Sequence, residues 1–194
     1  MNPRAGLVLA ASLLLPAAAA AQAPGPEPAP QLDSQQSRAT IEVDLRVGGR
    51  VEGVFGRLEG ELERLPGGQL KVSVRLDAQG LVLDGPEWMA RSMRSPKFLD
   101  VQAHPWIHFR SAPFEPALVE AGGVMAGELE LREVRRPVRF EVDPESCDAP
   151  GYDCDIHVSG EVSRREFGMD AYRVWLKDEV GFDFRVRLRQ PEPR

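Results

Sequence analysis

From Ala39 onward, apolar and polar residues alternate with a period of two, and few architectures accommodate that pattern. Ala39, Ile41, Val43, Leu45 and Val47 alternate with Arg38, Thr40, Glu42, Asp44 and Arg46. This predicts a long strand with one apolar and one charged face. Gly48-Gly49 supplies a hairpin turn. Val51, Gly53 and Phe55 continue on one parity and Leu58, Gly60 and Leu62 on the other, which predicts a bulge near Gly56. After the turn at Pro66-Gly67-Gly68, Leu70, Val72, Val74 and Leu76 alternate with Lys71, Ser73 and Arg75. Ile107 and Phe109 share one face of a segment running from Trp106 to Ser111, and Ala117 to Ala121 reads as a short strand before a Gly122-Gly123 turn. Met125, Gly127, Leu129 and Leu131 form the next strand, followed by Val138, Phe140 and Val142, then Ile156, Val158, Gly160 and Val162. The last strand is the most regular, with Val180, Phe182, Phe184, Val186 and Leu188 against Asp183, Arg185, Arg187 and Arg189.

Residues 84–101 break the alternation. Asp84 is placed to cap a short helix, Pro86 falls in its first turn, and Trp88, Met89, Ser92 and Met93 fall near one helical face. Pro96 ends the segment. The chain is therefore expected to be all-β: an antiparallel barrel of about eight strands with one short inserted helix. A barrel of that size has an interior wide enough for side chains or for one small ligand.

Alternation does not say which face is inside. A soluble barrel turns its apolar face inward, whereas an outer-membrane barrel turns it toward lipid. Burying Glu42, Asp44, Arg46, Arg185, Arg187 and Arg189 in a narrow interior would demand extensive ion pairing. The inward apolar face is the expectation, without stable membrane insertion. With 24 Lys and Arg against 30 Asp and Glu, the net charge is -6. A nucleic-acid partner calls for a basic surplus, so none is expected.

Arg4, the apolar run Ala5 to Leu15 and the small residues Ala19-Ala20-Ala21 form a secretory signal pattern over residues 1–21. It predicts export to the periplasm, with cleavage near Ala21. Residues 22–36 are rich in proline and predict a flexible leader, which leaves residues 37–190 as the barrel domain. Cys147 and Cys154 flank a Pro-Gly turn. In an oxidising compartment this predicts a disulfide; metal ligation and a redox dithiol are the competing readings.

Five motifs occur in order along the barrel segment. Gly53-x-Phe55-x-x-Leu58-x-Gly60 is similar to G-x-F-x-x-F-x-G of the YceI-like family. Arg94-Ser95-Pro96-Lys97-Phe98-Leu99-Asp100-Val101, followed by His104-Pro105, resembles that family's R-S-x-D-F-F-D-V and Y-P stretch. Ile107-His108-Phe109-Arg110-Ser111 matches I-x-F-x-S, and the run from Gly127 to Val138 resembles G-x-L-T-I-R-G-V-T-R-P-V. Arg164-Arg165-Glu166-Phe167-Gly168 resembles R-x-D-F-G. The resemblance spans about Asp33 to Leu188. Ala90, Ser92, Lys97, Glu130 and Glu133 depart from the family pattern.

The resemblance implies a periplasmic protein of lipocalin-like fold that binds a polyisoprenoid or another long-chain lipid and performs no chemistry. It implies that the apolar faces line a long pocket. Ile41, Val43, Leu45, Phe55, Val72, Val74, Ile107, Phe109, Leu129, Phe140, Val158, Phe182 and Phe184 are the lining candidates, with Met89, Met93 and Phe98 near a closure. The competing reading is that these residues fill a solid core. Arg164 is open to two readings, a head-group contact or a structural ion pair. No cofactor or metal is expected. A pocket shared by two chains, as a homodimer, stays open. The rival function is a small periplasmic hydrolase or isomerase acting on a lipid-like substrate. Against it, His104 and His108 in one extended strand would stand about 13 Å apart, and no G-x-S-x-G, P-loop or H-E-x-x-H motif occurs.

Overall fold

The computed structural model describes residues 30–190. The signal pattern at 1–21 and the leader up to residue 29 lie outside the described residues. Ten strands form one antiparallel sheet: β1 (Arg38–Leu45), β2 (Arg50–Val54), β3 (Leu58–Arg64), β4 (Leu70–Asp77), β5 (Val82–Leu83), β6 (Trp106–Ser111), β7 (Gly123–Leu131), β8 (Val134–Val142), β9 (Ile156–Ser163) and β10 (Leu176–Val186). They are ordered β3-β4-β6-β7-β8-β9-β10-β1-β2-β5. Helices α1 (Glu87–Arg94) and α2 (Ala117–Ala121) and a 3-10 turn at Arg164–Phe167 complete the elements.

The connection from β2 to β3 shows why the sheet curls. β3 opens the order and β2 stands next to its far end, inside only the two-residue β5, yet just Phe55-Gly56-Arg57 separates them. The sheet therefore bends until its two ends meet, giving a lipocalin-like half-barrel. At the crossing Gly56 packs on Gly80 so closely that a Cβ on Gly56 would lie 2.9 Å from the Gly80 Cα. The parity change near Gly56 is thus no bulge within one strand. The chain leaves β2, next to one end of the sheet, and enters β3 at the other.

The apolar faces turn inward. Ile41 on β1 stands opposite Phe182 on β10, and both are buried, as are Leu129 and Phe140 on β7 and β8. The polar members of each strand face out, where Glu59 pairs with Arg57 and Arg75, and Glu130 with Arg110 and Arg135. Among the described residues no helix is long and apolar enough to cross a membrane.

Four local expectations need correction. Ala117–Ala121 is a helix, because Pro116 sits in helical conformation ahead of Ala, Leu and Glu, all good helix formers, and Gly122 at φ 72° stops it. Helix α1 starts at Glu87 with Pro86 flanking it and without a side-chain cap; Asp84 instead bonds its N–H to the Glu52 carbonyl at the sheet edge. Strand β1 ends at Leu45, and Val47 projects into solvent. Finally, the chain joins the fold before residue 37. Leu32 is buried, its N–H bonds the Gly60 carbonyl at 2.9 Å, and Asp33 N–H bonds the Arg187 carbonyl at 2.8 Å.

The β7–β8 hairpin turns on Arg132 and Glu133, at φ 53° and 65°. A two-residue turn with both φ positive favours Asn-Gly, because a Cβ is strained there. Glu133→Gly is therefore expected to raise stability by about 0.5–1 kcal/mol, read as a higher midpoint in urea. A loss of stability would show that the Glu133 side chain makes compensating contacts.

Cys147 and Cys154 are joined in a disulfide. The loop they close grips the end of the last strand: Leu188 N–H bonds the Gly151 carbonyl at 2.8 Å and Arg187 donates to the Tyr152 carbonyl at 2.7 Å.

Candidate binding site

The interior holds three apolar spaces in series. At one end of the half-barrel, beside α1, opens a cleft of about 390 Å³ lined by Val43, Leu45, Met89, Met93 and Phe98 together with Val47, Val51, Leu83, Trp88, Ser92, Tyr172, Trp175 and Leu176. Behind it, a throat of about 30 Å³ is bounded by Ile41, Val43, Phe55, Met93, Phe98, Ile107 and Phe182, among others. Beyond Ile107 lies an inner chamber of about 100 Å³, whose walls include Val72, Val74, Ile107, Phe109, Leu129, Phe140, Val158 and Phe184.

The structure thus places each of the sixteen sequence candidates on the wall of one of these spaces, but it does not bring them into one long pocket. Opposing aromatic rings divide the interior. Phe140 meets Phe109, Phe182 and Phe184 edge-on, with centroids 5.3, 6.2 and 5.6 Å apart. The inner candidates are largely core, and the open cleft belongs to the end near α1.

Local sequence builds that cleft. On α1, Met89, Met93 and Ser92 recur at helical spacing and face the barrel end, while Trp88 stands half in solvent at the rim. The opposite wall is the irregular segment before β10. There Tyr172 stacks flat on Phe98 with centroids 5.6 Å apart, and the Ser92 hydroxyl lies 3.4 Å from the Tyr172 hydroxyl. Tyr172, Trp175 and Leu176 were not among the candidates. No alternation marks that segment, and only its two aromatic residues hint at a surface role.

Arg164 marks the polar boundary of the throat. It is buried and donates to three backbone carbonyls: Nε to Lys177 at 3.0 Å, and Nη1 to Met169 at 2.5 Å and Ala171 at 2.7 Å. Its guanidinium lies 5.9 Å from the centre of the Phe98 ring. Burial pushes its pKa below the usual value, and arginine nonetheless stays protonated. The ion pair expected of Arg164 belongs to its neighbour: Arg165 Nε lies 2.8 Å from Asp178. Asp178 also accepts from the Ser163 hydroxyl at 2.6 Å. So the arginine pair of the motif splits, one residue holding the loop carbonyls behind the cleft and the other tying the 3-10 turn to β10.

The Arg165 guanidinium, helped by Ser163, holds the Asp178 carboxyl down at about 2. A carboxylate depressed in the folded state adds stability that is present above its unfolded value of about 3.8 and is lost as pH falls toward 2. Arg165 is half-exposed, so solvent screening cuts the contribution to about 1–2 kcal/mol. Asp178→Asn is expected to cost that much near neutral pH and to flatten the loss of stability between about pH 4 and 2. Urea unfolding across that range checks it. An unchanged acid limb would contradict the assignment.

A family model for the YceI-like domain matches residues 31–188. The chain belongs to this family. Solved structures with the same fold include Burkholderia cenocepacia BcnA, at a TM-score of 0.66 and 15% identity over 80% of this chain and 98% of that one. A polyisoprenoid binding domain from Saccharophagus degradans, implicated in plant cell wall breakdown, gives 0.64 and 13% over 84% and 99%. The Campylobacter jejuni YCEI protein gives 0.55 and 15% over 72% and 85%. Among curated proteins no sequence matches. At these identities the likeness is one of fold. Within this YceI-like domain the motifs acquire physical roles: Arg94 to Val101 runs from the end of α1 through the buried Phe98, and Arg164 to Gly168 is the 3-10 turn behind the throat.

Proposed function

We propose that this YceI-like protein is an exported carrier that shields the apolar tail of an amphiphile in the cleft beside α1. The observation that carries the reading is the cleft lining. Twelve of its thirteen residues are aliphatic, aromatic or methionine, and no His, Asp, Glu or Cys is among them. Its volume of about 390 Å³ falls in the usual range for small-molecule sites, roughly 300–1,000 Å³. Each methylene buried there contributes about 0.8 kcal/mol, so ten give about 8 kcal/mol before ordering costs. A tail longer than the cleft enters the throat by displacing Met93, whose unbranched thioether chain repacks readily.

Suitable ligands are isoprenoids, isoprenoid quinones or their precursors, and fatty amides. The polyisoprenoid binding of the Saccharophagus degradans domain favours the first of these. The signal pattern at residues 1–21 and the disulfide support a periplasmic location. The only hydroxyls of the lining, Ser92 and Tyr172, have no His, Lys, Asp or Glu beside them in that lining to activate a nucleophile, which favours binding over hydrolysis or isomerisation.

Native mass spectrometry of gently purified protein, followed by organic extraction, tests the reading. An adduct whose extracted component carries a long apolar tail is expected. Protein that flies empty, and that gains no thermal stability from prenols, quinones or fatty amides, would contradict it.

A further inference from the structure

The apolar lining of the cleft is interrupted where α1 meets the segment before β10. There the Ser92 and Tyr172 hydroxyls stand 3.4 Å apart. A well-formed O–H···O bond spans about 2.7–2.8 Å, so this contact is long and leaves both groups most of their hydrogen-bonding capacity. Neither hydroxyl has another hydrogen-bond partner among the described residues. An oxygen acceptor set about 2.8 Å from each would bridge them and make two better bonds than the one they share.

The pair is held in place from outside the cleft. Tyr172 sits at φ 54°, in the left-handed region that a bulky side chain rarely adopts. The carbonyls on both sides of it are fastened, Ala171 by Arg164 Nη1 at 2.7 Å and Arg173 by Arg46 Nε at 2.9 Å. Its ring lies parallel to that of the buried Phe98. Ser92 is fixed on α1, where the Ser95 N–H and hydroxyl both donate to the Ser92 carbonyl. Two donors are thus set at a fixed spacing before a ligand arrives, which keeps the ordering cost of meeting them small.

The rest of the lining offers no rival acceptor and no charge. It holds no carboxylate, amide or imidazole side chain, and its other side-chain donors are the indoles of Trp88 and Trp175. Arg164, behind Phe98, is spent on backbone carbonyls. Such a wall complements an uncharged oxygen acceptor. We infer that Ser92 and Tyr172 select the head group of the ligand, donating to the carbonyl oxygen of an amphiphile whose tail runs past Met93 toward the throat. The inference rests on the tail-binding reading and deepens it: among long-tailed ligands it singles out those ending in a carbonyl, such as fatty amides and quinones, over plain hydrocarbons. Placement agrees with this division. Tyr172 is 43% exposed, whereas Met93, next to Ser92 on α1, also borders the throat. The polar end stays near water while the tail points inward.

Binding of two probes with the same tail, dodecanamide and dodecyl chloride, to the full chain stripped of lipid tests this. Chlorine is a poor acceptor, so the second probe reads the tail alone. Tyr172→Phe, which keeps the stacked ring, and Ser92→Ala are each expected to weaken dodecanamide about three- to tenfold and to leave dodecyl chloride unchanged. The carbonyl stretch of the bound amide is expected at lower frequency in the wild type than in either variant. Equal effects on both probes, no effect on dodecanamide, or a wild type that takes only dodecyl chloride would overturn the head-group role and leave tail binding standing. If neither probe binds the wild type, tail binding fails and the head-group role with it.

Discussion

Phe140→Ala is expected to lower the folding free energy by about 3–5 kcal/mol, the cost of emptying a large buried aromatic site. Phe140 is 1% exposed and is the ring on which Phe109, Phe182 and Phe184 all converge. Edge-to-face pairs add about 0.5–1.5 kcal/mol each beyond area burial, so the site falls at the upper part of that range. Collapse is hindered because the ring's neighbours sit on β6 and β10, whose backbones are fixed by pairing. Gly160 lies against the same ring, where its missing side chain leaves room: a Cβ there would come within 2.5 Å of Phe140 Cδ1. Urea unfolding gives the loss directly. The same variant should also enlarge the inner chamber, whose wall Phe140 helps to form. A loss under about 1 kcal/mol would mean that the aromatic cluster is not the partition described.

Met93→Trp is expected to weaken binding of a long-tailed ligand by about fiftyfold. Met93 lines both the cleft and the throat. An indole in its place fills the gap of about 30 Å³ and excludes the tail from it. If three methylenes lose their burial, the loss is about 2.4 kcal/mol, which corresponds to that factor. Met93 is half-buried near the end of α1, so the larger ring has solvent on one side and the fold should persist. Short-tailed ligands should be little affected. Equal weakening for short and long tails would place the bound tail elsewhere.

The strands and the inward direction of their apolar faces were legible in the sequence, because burial on one side of a pleated sheet imposes a period of two. Val72 and Val74, or Phe182 and Phe184, announce their face by spacing alone. Whether the enclosed space is open was not legible. Alternation says that Phe109, Phe140, Phe182 and Phe184 point inward, but not that rings from different strands meet and divide the interior. The rim was hidden for another reason: Tyr172, Val174 and Trp175 lie in an irregular segment whose position is set by Arg164, which holds the flanking Met169, Ala171 and Lys177 carbonyls, and by Arg46, which holds those of Arg173, Trp175 and Leu176. Leu32 was masked by its proline-rich surroundings, which read as leader although the residue closes the barrel against Gly60 and Leu188. Asp178 was hidden by its strand, since a buried carboxylate becomes intelligible only with Arg165 and Ser163 beside it.

Affinity measured against tail length, with one head group held constant and the protein first stripped of lipid, probes the apolar cleft most directly. If methylenes are buried there, each added one should tighten binding roughly fourfold, until the cleft is full and the gain stops. Affinity that follows the head group and ignores tail length would contradict a site built to hold an apolar chain.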